Sequence, residues 1–323
     1  MRAIIQKVYG GPEVLELRDI DRPVVTDDDV LVRVHAAAVN PADWHVMTGT
    51  PYIARMAFGM LKPKREVLGV DFAGTVESVG RNVRQFRPGD EVFGGSNGTF
   101  AEYVCVSEDQ AVVLKPARLT FEEAAAAPLA AVTALQGLRD HGHIQPGQDV
   151  LINGASGGVG TFAVQIAKSF GAKVTGVCST RNVDTVRAIG ADRVIDYNHV
   201  DFTRGEQRYD LMLDMAGNRA WSECRRVLKP QTTLVIVGGP KAGRLIGPLG
   251  HLAKLRLATL RSSQKVVFFV ARMNKKDMVV LRELLEAGKV RPVIDRRFEL
   301  SKIGDALRYM GEGHAQAKIV ITF

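Results

Sequence analysis

Residues 149–171, DVLINGASGGVGTFAVQIAKSFG, place small residues where they can do chemistry on an anion. An apolar run ends at Asn153, a glycine-rich turn follows, and Ala163, Ile166 and Ala167 then recur at helical spacing. Ala155, Gly157 and Gly160 fall on the three small positions of the dinucleotide-binding fingerprint. Ala155 stands where the first glycine usually sits, and Ser156, Gly158 and Val159 fill the places between. Small residues let the backbone turn sharply and approach a pyrophosphate, whose charge is favoured by the free N–H groups and dipole of a helix start. An ordinary glycine-rich turn between strand and helix is the alternative.

The next apolar run, Lys173 to Cys178, should end beside the adenosine ribose of such a cofactor. A ribose with a free 2′-hydroxyl is normally met there by a carboxylate. Here Cys178, Ser179, Thr180 and Arg181 follow, and the first acid is Asp184, inside the next helix. A hydroxyl and a guanidinium suit a 2′-phosphate, which a carboxylate would repel. NADPH is therefore the expected cofactor; the competing account makes Ser179 a helix cap and Arg181 a solvated charge.

These groups need elements to position them. Up to about Lys115 the pattern is of short strands between turns: Val30, Val32 and Val34 alternate with Leu31, Arg33 and His35, and FAGTVESVG, GDEVFGG and GTFAEYVCVS are β-rich. Thr120 with Glu122 and Glu123 marks a helix start, and the alanine-rich run to Leu138 continues it, with Pro128 in an early turn or at a break. Strands are then expected at 149–153, 173–178, 193–196, 211–214, 233–237 and 265–269, alternating with helices, which makes a doubly wound parallel sheet. A helix is expected over 275–288, and the closing KIVITF should be a strand that returns to the first domain.

The chain of 323 residues is comfortable for two domains, and 46% hydrophobic with 24% charged residues is the composition of a globular protein. Its net charge of +8 is spread along the chain without a compact basic run, so an anionic cofactor explains it more simply than nucleic acid. Cys105, Cys178 and Cys224 are too few and too scattered for a disulfide framework or a four-cysteine zinc lobe, which suits a reducing cytoplasm. There is no signal-peptide pattern and no apolar run of about 18 residues, so no transmembrane segment is expected. Residues 244–264 are apolar and basic without an acid. They suit a lid, a subunit contact or a membrane-surface element.

GVDFAGTVESVG, FRPGDEVFG, FAEYV, PLAAVTAL, INGASGGVG and IGADRVIDY, in this order along nearly the whole chain, resemble the medium-chain dehydrogenase/reductase superfamily, and within it the zinc-free quinone oxidoreductase branch. The resemblance implies an α/β protein with a GroES-like catalytic domain over 1–122, completed by 272–323, and a Rossmann domain over 123–271. It also implies an active cleft and commonly a homodimer. Zinc-containing relatives carry a cysteine ligand where this chain has Asn40 and Asp43 in NPADWH, and Gly-His-Glu where it has Gly69, Val70 and Asp71. Both ligand positions are lost, and a catalytic zinc needs three. His141 and His143 lie in a polar connection and are expected in solvent, while His35 and His45 are expected to be structural.

Without a Lewis acid to hold an alkoxide, hydride addition to a quinone or enone is better supported than alcohol oxidation. The resemblance places Asn40, Asp43 and Tyr52 as catalytic candidates, Tyr52 being equally readable as a packed loop aromatic. By the same resemblance Thr133 helps hold the nicotinamide end, Gly238 and Gly239 give a close backbone approach to the cofactor, Lys318 is cofactor-proximal and Tyr197 lies by the 2′-phosphate. Phe268 and Phe269 suit a cleft wall, with Phe269 at the cofactor, or else are buried strand aromatics. Ala317 replaces the glycine that often precedes that lysine. An enoyl-thioester reductase and a non-catalytic NADPH-responsive binding protein are the other function classes.

Overall fold

The computed structural model describes residues 1–237, 263–313 and 315–323. Two compact units divide the chain: Met1–Val132 with Met273–Gly288 and Pro292–Phe323, and Thr133–Arg272 with Lys289–Arg291. The first division falls inside the helix Pro128–Gln136.

In the first unit β1 (Arg2–Gln6) and β2 (Leu15–Asp19) form an antiparallel pair. A larger sheet begins with β3 (Asp29–Val39), β4 (Asp71–Val79), β5 (Glu91–Gly95), β6 (Tyr103–Ser107) and β7 (Val112–Leu114). The alternation expected at Val30, Val32 and Val34 holds from Val32 to His35, where Arg33 is exposed and His35 only partly covered, but Leu31 is buried like its neighbours. From Ala36 to Val39 both faces are buried, because small side chains let neighbouring layers close on this stretch. The strand therefore delivers the next residue, Asn40, into the interior.

The second unit holds β8 (Asp149–Asn153), β9 (Lys173–Cys178), β10 (Arg193–Asp196), β11 (Tyr209–Asp214), β12 (Leu228–Ile236) and β13 (Lys265–Phe268). All pairings are parallel and the order is β10-β9-β8-β11-β12-β13, the doubly wound arrangement. Val150, Leu151 and Ile152 are fully buried, as strands covered on both faces require. β12 starts earlier than its apolar run at Thr233, since Pro230 and Gln231, the latter at φ +65°, interrupt the pattern but not the strand. The chain then re-enters the first unit, where β14 (Ile294–Glu299) pairs parallel with β15 (Lys318–Thr322) and β15 pairs antiparallel with β3. That unit's sheet runs β14-β15-β3-β4-β5-β7, with β6 on β3.

The alanine-rich helix is two helices, Phe121–Ala125 and Pro128–Gln136, with Pro128 opening the second. Thr120 caps the first by accepting the Glu123 N–H at 3.2 Å, while Glu123 accepts the Thr120 N–H at 2.9 Å. No described helix is long and apolar enough to cross a membrane. Gly238, Gly239 and all but the last two residues of 244–264 lie outside the described residues.

Candidate functional site

In the second unit the turn after β8 is built by Gly154 at φ +88°, a left-handed conformation that side chains resist. The N–H groups of Gly154 and Ala155 both donate to the Val177 carbonyl, at 3.1 and 3.0 Å, which fixes the turn on β9. A Cβ at Gly160 would lie far inside contact distance of the Gly154 carbonyl oxygen, so only glycine lets the helix Gly158–Ser169 start so close to the turn. Ala155 is tolerated because its methyl lies over Gly176, whose missing side chain leaves the room. No side chain caps this helix at Gly157. Its first-turn N–H groups are the donors a pyrophosphate needs.

Ser156 and Ser179 are joined by a residue that sequence reasoning passed over. The buried Asn182 donates from Nδ2 to both hydroxyls at 3.0 Å, tying the fingerprint turn to the segment after β9. Ser179 stands at the start of the turn Thr180–Asn182, but its hydroxyl makes no capping bond. Arg181 is exposed, and so is Tyr197, whose N–H donates to the Cys178 carbonyl at 3.0 Å. An acid, Asp196, pairs in register with Cys178 from β10. A hydrogen bond from Thr180, then the Asn198 N–H and His199 Nδ1 at 2.8 Å, hold its carboxyl below the usual range against partial desolvation. Thr133 is half-buried on its helix. Phe269 is buried with its ring centroid 4.3 Å from that of His141, so His141 stacks on an aromatic instead of standing in solvent; His143 is exposed.

In the first unit Asn40 directly follows β3 and precedes the helix Pro41–Thr48, whose proline at the first position needs no N–H partner. The Asp43 carboxylate reaches back to accept the Asn40 N–H at 2.8 Å. The Asn40 side chain turns inward instead of capping the helix: Nδ2 donates to Asp71 Oδ2 at 3.0 Å, and Oδ1 accepts from Lys318 Nζ at 2.7 Å. Lys318 also donates to Asp71 Oδ2 at 3.2 Å and to the Val39 carbonyl at 3.3 Å. The second Asp71 oxygen accepts the Leu129 N–H at 2.9 Å, at the start of the helix Pro128–Gln136. All four side chains are buried. Burial pushes the Asp43 carboxyl up to about 7, with the nearby Asp71 charge adding to the rise and the Asn40 and Gly69 N–H groups and Lys318 opposing it.

Asn40, Asp43 and Lys318 are thus brought together, joined by Asp71, which the sequence presents only as the neighbour of Val70 in the segment that replaces Gly-His-Glu. Tyr52 stands apart from them. It is exposed, stacks on the Arg55 guanidinium at 4.6 Å, and its hydroxyl bonds to no described residue. His35 packs its ring 4.5 Å from Phe121 and bonds to Thr75, while His45 bonds to the Thr50 carbonyl. Among the described residues no three His, Cys, Asp or Glu side chains are grouped to hold a metal. Lys318 lies at the start of β15 after Ala317, which adopts φ +58° where glycine would be unstrained.

Two family profiles match, an alcohol dehydrogenase GroES-like domain over residues 26–117 and a zinc-binding dehydrogenase over 189–321. The 2-methylene-furan-3-one reductase of Solanum lycopersicum is 34% identical over 99% of this chain and 79% of its own length. The quinone oxidoreductase of Homo sapiens is 33% identical over 95% of this chain and 92% of its own. Among solved structures, a quinone oxidoreductase from Coxiella burnetii superposes with a TM-score of 0.84 at 31% identity, covering 100% of this chain and 99% of that one.

Proposed function

The chain belongs to the medium-chain dehydrogenase/reductase superfamily, in its quinone oxidoreductase-like branch, and from that premise we propose that it reduces a quinone or an α,β-unsaturated carbonyl with NADPH and without zinc. The relatives point the same way, one being named for a quinone and another for a 2-methylene-furan-3-one, a ketone conjugated to an exocyclic double bond. A bound nicotinamide supplies a hydride to the electron-poor carbon of such an acceptor. The rest is positioning. The turn Gly154–Gly160 and the helix start after it hold the pyrophosphate, and Ser179, Arg181 and Tyr197 suit a 2′-phosphate beside a strand that ends without an acid.

The observation that carries the zinc-free reading is Lys318. Its ammonium bonds Asn40 Oδ1 and Asp71 Oδ2, so a cation of this chain already sits on the segment that replaces the cysteine ligand and on the carboxylate next to Val70, which replaces the histidine. A second cation there would have to displace it or face its repulsion. Tyr52, whose hydroxyl bonds to no described residue, is the donor assigned to the acceptor oxygen, while Asn40 and Asp43 belong to the buried Lys318 cluster.

A panel of quinones, enones, enoyl thioesters and alcohols, assayed with NADPH or NADH before and after chelation, tests the proposal. The expected outcome is quinone or enone reduction that prefers NADPH and survives chelation. Arg181→Ala should weaken NADPH by about 1.5–3 kcal/mol with little effect on NADH. A preference for NADH, a stoichiometric zinc lost together with activity, or turnover of enoyl thioesters alone would each overturn a named part of it.

A further inference from the structure

The lobe between the helix Pro41–Thr48 and β4 has no role in the reading above, apart from Tyr52, and presents a surface of unusual composition. From Trp44 to Arg65 there is no acid; the next one is Glu66. The lobe exposes Met56 at 72%, Met60 at 67% and Leu61 at 93% of their surface, with Ile53 at 42%. Lys62, Lys64 and Arg65 follow directly, are exposed, and form no ion pair with any described residue.

These apolar side chains are held outward by a built turn. The short helix Arg55–Phe58 ends at Gly59, whose φ of +122° and close approach to the Lys62 carbonyl exclude a side chain. The Gly59 N–H donates to the Arg55 carbonyl at 2.8 Å, and the Lys64 N–H closes the turn on the Phe58 carbonyl at 2.7 Å. The Tyr9 hydroxyl donates to the Gly59 carbonyl at 2.6 Å, the Arg55 guanidinium stacks on Tyr9 at 4.4 Å, and Pro63 is buried. Met60 and Leu61 therefore sit exposed in a pinned turn, followed directly in the chain by three exposed cations.

We propose that this turn docks the protein reversibly on an anionic membrane surface, with Met56, Met60 and Leu61 entering the headgroup and acyl boundary and Lys62, Lys64 and Arg65 meeting lipid phosphates and carboxylates. Charge complementarity selects this occupant. A purely apolar partner would leave three clustered cations unmatched, whereas an acidic bilayer answers both the apolar side chains and the cations that follow them. The inference is independent of the cofactor and acceptor assigned above.

Vesicle co-sedimentation of the full chain tests it, with phosphatidylcholine alone or mixed with phosphatidylserine. The expected result is binding to the mixed vesicles only, falling as salt screens the surface. Met60→Ser with Leu61→Ser should weaken that binding about tenfold. Lys62→Glu with Lys64→Glu should weaken it by at least about 25-fold, at about fivefold for each cation lost. Both double variants should keep the wild-type thermal midpoint and NADPH affinity, because the altered side chains are exposed. Equal binding to both vesicle types, or variants that bind like the wild type, would overturn the proposal. So would a lipid-free oligomer that M60S/L61S dissociates, since a second copy would then be what covers the turn.

Discussion

The turn Gly154–Gly160 and the cluster of Asn40, Asp43, Asp71 and Lys318 both manage charge, and they do it in opposite ways. At the turn the backbone does the work. Side chains are absent or small, the helix start keeps its N–H groups for a ligand, and the nearby hydroxyls are held by one buried amide. In the cluster side chains do it, and their polar groups are spent on one another: one ammonium serves an amide, a carboxylate and a carbonyl. The turn is ready for a charge that arrives with a cofactor, whereas the cluster has its counter-charge built in. Substitutions in the cluster should therefore act first on stability, and those at the turn first on cofactor affinity.

The largest effect is expected at Lys318. Lys318→Met would leave Asp71 buried without its cation and strand the Asn40 oxygen, and breaking a buried pair by removing one partner costs about 3–5 kcal/mol. Urea denaturation measures it, and adding Asp71→Asn to Lys318→Met should return part of the loss. A near-normal midpoint in the single variant would show that the cluster is not a closed charge system.

Next is a pH effect from Asp43. Its carboxyl is raised from 3.8 to about 7, so between these values the folded protein holds a proton that the unfolded chain releases. Stability should fall as pH rises from about 4 to about 7, by on the order of a few kcal/mol, and level off above. Asp43→Asn keeps an acceptor for the Asn40 N–H but cannot titrate, and should flatten the dependence over the same window. A wild-type curve already flat between pH 4 and 7 would remove Asp43 from the account.

The turn responds differently. Gly160→Ala would push a methyl into the Gly154 carbonyl, and relieving such overlap costs typically about 1–3 kcal/mol. Moving the helix start should lower NADPH affinity accordingly, as read by fluorescence titration. Gly157→Ala meets only the Gly154 oxygen at 3.5 Å and should be much milder. Asn182→Ala removes the link between Ser156 and Ser179 and should weaken NADPH by about 1 kcal/mol, with stability less affected.

The two regions were unequally legible. The fingerprint is local: Gly154 to Gly160 and the apolar run of β8 are consecutive, so composition and spacing suffice to find them. The six parallel strands were legible for the same reason, although β11 begins at Tyr209 instead of Leu211 because its first residues are not a pure apolar run. The cluster is long-range. Asp71 and Lys318 are 247 residues apart, and no spacing could announce that the lysine reaches Asn40 and Asp71. Asn182 was hidden differently: it reads as a polar residue at a helix start, and only the folded turn brings Ser156 within its reach.

The smallest expected effect tests whether the cluster is held under strain. Ala317 occupies the left-handed region at φ +58°, directly before Lys318, and resemblance to the family already marks the position as one where glycine is common. A left-handed conformation costs an L-residue roughly 1–2 kcal/mol that glycine avoids. Glycine in turn loses about 0.5–1 kcal/mol more conformational entropy on folding. The difference, between about 0 and 1.5 kcal/mol, favours Ala317→Gly, a gain visible as a raised denaturation midpoint. If alanine is instead retained to hold Lys318 rigidly against Asn40 and Asp71, glycine would loosen β15 at its first residue and the midpoint would not rise. Combining Ala317→Gly with Lys318→Met separates the two cases. Backbone strain alone predicts that the glycine gain persists without the lysine side chain, because it belongs to residue 317. A gain that appears only once Lys318 is gone would mean that alanine serves the cluster.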